Sequence, residues 1–192
     1  MKPVFDFIVE PLGERYNNEV KVGNKKLVLN SEIFNHEFVN RIGKVISVPI
    51  AFETEIKAGD IIIVHHNVFR RWYNVKGVEK NSRCFLSENR YLVSLDQIFA
   101  YKRKEWKALK GFCFVKPIKD KNKYTLDKEV KLKGIVAFDS DNFKKGDVVG
   151  FEPGSEYEFI VDNNKMYRVM KNFITIKYGH KRNEETYNPS WA

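Results

Sequence analysis

The chain has 192 residues, 43% of them hydrophobic, and a net charge of +9, so it holds enough apolar material for a folded core. No apolar run approaches membrane-spanning length, and two cysteines without paired spacing exclude a disulfide framework and a zinc site. The 15 phenylalanines and 9 tyrosines favour β structure. Since no signal-peptide pattern is visible at the N-terminus, we expect a cytoplasmic protein. We also expect no bound metal and no cofactor.

The first predicted strand covers residues 4 to 10 and ends at Pro11. From Pro11 to about Arg41 glycines and asparagines punctuate a polar segment, which surrounds one apolar triplet, Leu27, Val28 and Leu29. A structureless excursion of roughly 30 residues is unusual in a small domain and is typically functional or mobile. We therefore predict a mobile loop over residues 17–39.

The next signals are a strand at residues 44–48, a Gly-Asp turn and a strand at residues 61–64. His65 and His66 follow, and neighbouring strand residues point to opposite faces, so this pair does not predict a metal site. The following stretch, residues 70–73, reads Arg-Arg-Trp-Tyr. Basic residues mixed with aromatic ones are typical of proteins that bind single-stranded nucleic acid, which keeps that alternative open.

One sequence pattern occurs twice. Residues 56–64 and residues 143–151 each read apolar, basic, any residue, Gly, Asp and then a mostly β-branched or apolar run, which is typical of a turn leading into a buried strand. Three further pairs of segments surround the two copies in the same order: 7–11 with 113–117, 43–48 with 134–138, and 91–98 with 167–174. Four signals repeated in one order indicate an internal repeat.

The repeat predicts two domains, residues 1–105 and residues 109–178, followed by a flexible polar tail at residues 179–192. The second copy has shorter connections, so the extra loop residues of the first copy are the first place to look for function. The apolar positions of the repeat are expected to form the two cores. They are Ile8, Val45, Ile62, Val93 and Ile98 in the first copy and Val115, Val136, Val149, Val169 and Ile174 in the second.

This ordered set of motifs resembles the GroES-type co-chaperonin family. The residues that carry the resemblance are an apolar strand at 2–9, a glycine-flanked aliphatic loop at 23–29, a strand at 42–48, the Gly-Asp turn and strand at 56–62, and Tyr91, Leu92, Ile98 and Ala100. The resemblance covers nearly all of the first domain. It implies an all-β fold of two tandem small antiparallel GroES-like β-barrels, with a long mobile loop in the first and a shortened second barrel.

The resemblance also implies a function. In the family the mobile loop binds a ring chaperonin of the GroEL type, here through Leu27, Val28 and Leu29, and the chain assists protein folding as a cap. Burying three aliphatic side chains contributes roughly 1.5–3 kcal/mol each, and ordering the loop costs about 1–2 kcal/mol per residue. One loop therefore binds weakly, whereas a homo-oligomeric ring of loops binds well through effective concentration.

Two alternative classes remain open. One is a nucleic-acid-binding β-barrel protein that uses the Arg-Arg-Trp-Tyr stretch, and the other is a structural, virion-type tandem-barrel protein. No Ser/His/Asp or Cys/His arrangement, paired-acid site or phosphate-binding glycine loop can be recognised in the sequence. We therefore expect a protein that is not an enzyme.

Overall fold

A computed structural model describes residues 1–16, 19–28, 38–122 and 128–190. About half of the described residues lie in strands, the paired strands of the sheets run antiparallel, and no α-helix occurs in the described ranges. The predicted all-β class is therefore confirmed. None of the described sheets closes into a barrel, so the barrel closure expected from the sequence is absent from the pairing that the structure describes.

The chain divides into two compact units, Met1–Glu105 and Trp106–Ala192. The strands of the first unit are β1 (Phe7–Pro11), β2 (Glu19–Val22), β3 (Lys25–Val28), β4 (Ile42–Ser47), β5 (Ile61–Val64), β6 (Arg71–Tyr73), β7 (Glu79–Asn81), β8 (Phe85–Ser87), β9 (Arg90–Val93) and β10 (Ile98–Lys102). The strands of the second unit are β11 (Trp106–Ala108), β12 (Phe112–Lys119), β13 (Glu129–Val136), β14 (Asp147–Phe151), β15 (Tyr157–Val161), β16 (Asn164–Met170) and β17 (Ile174–His180).

The two units repeat one strand order. The main sheet of the first unit runs β10-β5-β4-β1-β9-β8, and that of the second runs β17-β14-β13-β12-β16-β15. Each strand of the first list therefore corresponds to the strand in the same place of the second. A short 3-10 turn precedes the final strand in both copies, at Leu95–Gln97 and at Lys171–Phe173. The internal repeat read from the sequence is thus a repeat of topology.

The Gly-Asp turns have the same geometry in both units. Gly59 and Gly146 each have a φ of +92°, a left-handed conformation that favours glycine. The next residue, Asp60 or Asp147, is buried, and its carboxylate accepts a backbone hydrogen bond 2.8 Å long from the residue three positions before it. The aspartate thus satisfies a donor inside the turn before β5 or β14 begins.

Each buried aspartate is also paired with a cation. The guanidinium of Arg103, which follows β10, donates to Asp60 at 2.9 and 2.8 Å. The ammonium of Lys177, on β17, lies 2.6 Å from the Asp147 carboxylate. A buried charge is tolerated only when it is paired or hydrogen-bonded, so these contacts link the turn to the last strand of its unit.

Nine of the ten predicted core residues are at most 2% exposed. Ile174 differs, since it is half-buried and packs against the core cluster that contains Val115, Val136, Val149 and Val169. Cys113 belongs to the same cluster and is fully buried. The apolar positions of the repeat therefore located the two cores correctly.

The C-terminal segment departs from the expected flexible tail. β17 continues to His180, and the chain then returns along β12, where the Lys119 amide donates to Glu185 at 2.8 Å and the Tyr187 amide donates to Pro117 at 2.9 Å. The polar side chains predicted a loose tail. The observed pairing is made by backbone groups, which almost every residue carries, so amino-acid composition does not predict it.

Candidate partner-binding hairpin

The long connection between β1 and β4 contains an antiparallel hairpin. β2 and β3 pair with Val22 opposite Lys25, so Gly23 and Asn24 form a two-residue turn. Gly23 has a φ of +60°, as the first central residue of a type II′ hairpin turn requires. The sequence predicted no strands in this segment, because the Gly-Asn pair and the surrounding lysines are typical of a loop.

The hairpin exposes apolar side chains on one face. Val22 is 60% exposed and Leu27 is 55% exposed. Since Val22 pairs with Lys25, and Leu27 lies two residues further along the strand, the two apolar side chains share a face. This face presents aliphatic surface to solvent rather than to the core of the first unit.

The structure describes the predicted anchor triplet in part. Leu27 lies on β3 with its side chain in solvent. Val28 is the last residue of β3, but its side chain is outside the description. Leu29 falls within residues 29–37, which lie outside the described residues, as do residues 17 and 18 of the predicted mobile loop.

The two ends of the long connection meet at one point of the sheet. Tyr16 and Val39 form an antiparallel bridge, and both side chains are buried. Next to this bridge the Asn40 amide donates to the carbonyls of Leu12 and Glu14, each at 2.9 Å, and its oxygen accepts from the backbone of the following strand. The connection is therefore closed at its base by a fully hydrogen-bonded buried amide.

Arg15 ties this base to a distant part of the first unit. Its guanidinium donates to the carbonyl of Phe69 at 3.1 and 3.0 Å, to that of Arg70 at 3.3 Å and to the Asn81 side chain at 2.9 Å. Since Asn81 ends β7, the arginine joins the base of the β2–β3 hairpin to the base of the β6–β7 hairpin. This contact could not be predicted from the sequence, because every residue carries a backbone carbonyl that can accept a hydrogen bond.

The β6–β7 hairpin divides the Arg-Arg-Trp-Tyr stretch between two faces. Arg71 lies 4.8 Å from the Tyr16 ring centre and pairs with Glu79 at 3.6 Å, and the Tyr73 hydroxyl also faces Glu79. Trp72, on the alternate face, is 44% exposed. The stretch therefore does not act as one continuous basic-aromatic surface, since Arg71 is already occupied within the unit.

The two adjacent histidines lie side by side. Their ring centres are 4.2 Å apart, because β5 ends at Val64 and both residues fall beyond it. The expectation that they point to opposite faces was wrong, since strand alternation does not extend past the strand. Among the described residues no group of three or more His, Cys, Asp or Glu side chains is arranged to hold a metal ion.

A cluster of titratable groups in the second unit places one lysine between two carboxylates. Lys165 pairs with Glu129 at 3.4 Å and with Glu158 at 3.2 Å. Burial alone would lower the pKa of Lys165, but its contacts with Tyr167 and the two glutamates raise it. Burial and the hydrogen bond to Glu129 raise the pKa of Tyr167 to about 12. Lys165 and Tyr167 therefore remain protonated at neutral pH, and this cluster stabilises β15 and β16.

Comparisons with known proteins add no assignment to this geometry. No protein-family model matches the chain, and the curated proteins contain no match to it. In the part of the chain that the structure describes, no helix has the length and hydropathy required to cross a membrane.

Proposed function

We propose that the chain is a co-chaperonin-like cap, built from two tandem GroES-like domains, that binds a ring chaperonin in the cytoplasm and assists protein folding. The chain performs no chemistry of its own in this proposal, and the nucleotide cycle belongs to the chaperonin. The residues that bind the chaperonin are Leu27, Val28 and Leu29.

The observation that carries the proposal is the exposed aliphatic face of the β2–β3 hairpin. Val22 and Leu27 hold more than half of their surface in solvent, on a hairpin inserted into the long connection of the first unit. Exposed aliphatic side chains on a hairpin with an anchored base suit a segment that adds its apolar face to a groove on a partner.

The repeat supports the same proposal by contrast. The corresponding connection in the second unit runs only from Lys119 to Glu129, whereas that of the first runs from Pro11 to Ile42. Two units with one topology and one long connection suit a subunit whose second domain contributes to assembly and whose first domain contributes the binding segment. We accordingly expect a homo-oligomeric ring, because one short apolar segment binds weakly and several act together.

The test is capture by a purified GroEL-type ring chaperonin in a co-sedimentation assay, with and without adenine nucleotide. Replacing Leu27, Val28 and Leu29 by Ser is expected to abolish capture and to leave the melting temperature nearly unchanged, because interface energy is concentrated in a few apolar residues. Val75→Ser is the matched control, since Val75 is fully exposed in the turn of the other hairpin. This control is expected to keep full capture.

Two results would contradict the proposal. The first is equal capture of the triple variant and the Val75→Ser control. The second is a large loss of stability in the triple variant with capture per folded molecule intact, which would show that the triplet packs into the first unit. Sedimentation velocity of the free protein tests the ring separately, and a monomer at the concentrations used for capture would exclude it.

A further inference from the structure

A groove of about 580 Å³ lies in the first unit next to the β6–β7 hairpin. Its lining combines two arginines, an indole, two side-chain amides and a thiol: Arg70, Arg83, Trp72, Asn67, Gln97 and Cys84. Small-molecule sites in proteins have volumes in this range and combine an apolar surface with a few polar groups.

The side chains of the two groove arginines have no polar partner among the described residues. Neither guanidinium makes an ion pair or a hydrogen bond with the residues that the structure describes, and the buried Nε of Arg70 has no partner. Arg71, on the other face of the hairpin, pairs with Glu79 through a terminal guanidinium nitrogen, although its buried Nε also lacks a partner. A buried guanidinium N–H without an acceptor is costly, and an anionic ligand would satisfy it.

The aromatic part of the groove is an exposed ring. Trp72 is 44% exposed, and in the hairpin register it lies opposite Lys80, which is also exposed. Opposed residues of an antiparallel pair share a face, so a third cation stands beside the indole. An exposed indole among cations is a stacking surface for an aromatic anion.

The amides supply hydrogen bonds to such a ligand. The Gln97 oxygen accepts the Cys84 thiol at 3.5 Å, which leaves the NH₂ group of Gln97 without a partner among the described residues. Asn67, the other amide that lines the groove, is exposed. Side-chain amides recognise the edges of nucleobases, while arginines bind phosphate through two hydrogen bonds.

We propose that this groove binds a nucleobase together with its phosphate, with the base stacked on Trp72 and the phosphate held by Arg70 and Arg83. The ligand is either a free nucleoside phosphate or one unit of a single-stranded nucleic acid, since both carry this chemistry. The site is independent of the chaperonin-binding hairpin, because none of its lining residues belongs to β2 or β3.

The test uses fluorescence anisotropy of a labelled single-stranded oligonucleotide of about 12 nucleotides, at about 50 and 200 mM salt. Trp72→Ala is expected to weaken binding by roughly 5- to 100-fold, whereas Trp72→Phe keeps most of the affinity because the stacking face is retained. Arg83→Gln is expected to weaken binding and to lower the salt dependence by about one phosphate contact.

Arg182→Gln is the matched control for charge. It removes one positive charge from an exposed residue of the second unit and is expected to change affinity less than about twofold. Displacement of the oligonucleotide by millimolar AMP identifies a free nucleotide as a ligand, and displacement by unlabelled oligonucleotide alone identifies the strand. Trp72 and Arg83 are exposed, so melting temperatures of all variants should match the wild type.

Three results would overturn the proposal. They are the absence of binding at the lower salt concentration, equal losses from Arg83→Gln and Arg182→Gln, and binding of polyglutamate as tight as that of the oligonucleotide. The last two would show attraction of any polyanion to a basic chain rather than a built site.

Discussion

The hydroxyl of Tyr16 is hydrogen-bonded to both backbone polar groups of Arg71. It accepts the amide N–H at 2.9 Å and donates to the carbonyl oxygen at 3.2 Å. Tyr16 begins the long connection that carries the β2–β3 hairpin, and Arg71 begins β6. One buried phenol therefore links the start of the long connection to the start of β6, through two residues that are 55 positions apart in sequence.

Tyr16→Phe is expected to lower the free energy of unfolding by roughly 1–3 kcal/mol, because it leaves the backbone groups of Arg71 without their partner. Urea unfolding measures the change. Tyr73→Phe is the control, since that tyrosine is 38% exposed and its hydroxyl is 3.5 Å from Glu79. The control should change stability by less than about 0.5 kcal/mol. Equal losses from both variants would show that the Tyr16 hydroxyl is not a structural link.

The Asp147 carboxylate makes the second unit sensitive to acid. Burial opposes its ionisation, but the hydrogen bonds from Lys177 and from the Lys144 amide outweigh burial and lower the pKa of Asp147. A carboxyl whose pKa is lower in the folded state contributes its full stability above its unfolded pKa of about 3.9. That contribution is lost as the pH falls through the folded pKa.

Asp147→Asn should therefore lower stability by roughly 1–3 kcal/mol at neutral pH, with a difference from wild type that shrinks below about pH 4. Thermal unfolding from about pH 2 to pH 7 measures this convergence. Asp141→Asn changes an exposed carboxyl in the loop before the turn and serves as the control. A gap between Asp147→Asn and wild type that stays constant down to the lowest pH would contradict the assignment.

Gly43 and Gly134 occupy equivalent places in the two units, but different atoms exclude a side chain at each. A Cβ at Gly43 would lie 2.6 Å from a side-chain methyl of Val9, 3.0 Å from the Phe69 ring and 3.2 Å from the Glu10 carbonyl oxygen. One at Gly134 would lie 2.9 Å from the Cβ of Val115 and 3.0 Å from both a Val115 methyl and the Lys116 carbonyl oxygen. Each Gly→Ala change is expected to cost roughly 1–3 kcal/mol through overpacking.

The two sites should differ in rescue. Adding Val9→Ala to Gly43→Ala removes the colliding methyl, so the double variant should be more stable than the sum of the single effects by at least about 0.5 kcal/mol. Adding Val115→Ala to Gly134→Ala removes the methyl at 3.0 Å but keeps the closer Cβ and the carbonyl, so this pair should couple more weakly. Double-mutant cycles by urea unfolding test this contrast, which fails if both pairs couple equally.

The two thiols should differ in reactivity. Burial, followed by the charge of Asp147, raises the pKa of Cys113 to about 12, and burial also raises the pKa of the half-buried Cys84. Because the thiolate is the reactive form, Cys84 should react slowly with a thiol reagent in the native protein and Cys113 only after unfolding. A Cys84→Ser variant should then show no native reaction, and titration of two thiols in native protein would refute this.

The core could be predicted from the sequence because its signal is local and occurs twice. Val45 and Val136 each lie two residues after an equivalent glycine in a largely apolar run, so each copy of the pattern supports the other. The half-buried state of Ile174 could not be predicted, because β17 lies at the edge of its sheet and edge position depends on strand order.

The candidate site was predicted only in composition. The apolar residues near Leu27 stood out against polar surroundings, but the β2–β3 pairing did not, because backbone hydrogen bonds determine it. The role of Arg15 was likewise hidden, since its acceptor at Phe69 is a carbonyl 54 residues away. The sequence predicts the Arg-Arg-Trp-Tyr stretch as one basic-aromatic segment, whereas strand alternation places Trp72 and Arg71 on opposite faces of the hairpin.

The bridge between Tyr16 and Val39 brings the two ends of the connection to adjacent positions on the buried side of the first unit. The segment between these two residues therefore leaves the unit and returns to it at the same point, so it can be treated as an exchangeable cassette. A short turn grafted between Tyr16 and Val39 is expected to leave the Arg15 and Asn40 contacts intact. The segment can thus be exchanged without redesigning the sheet that supports it.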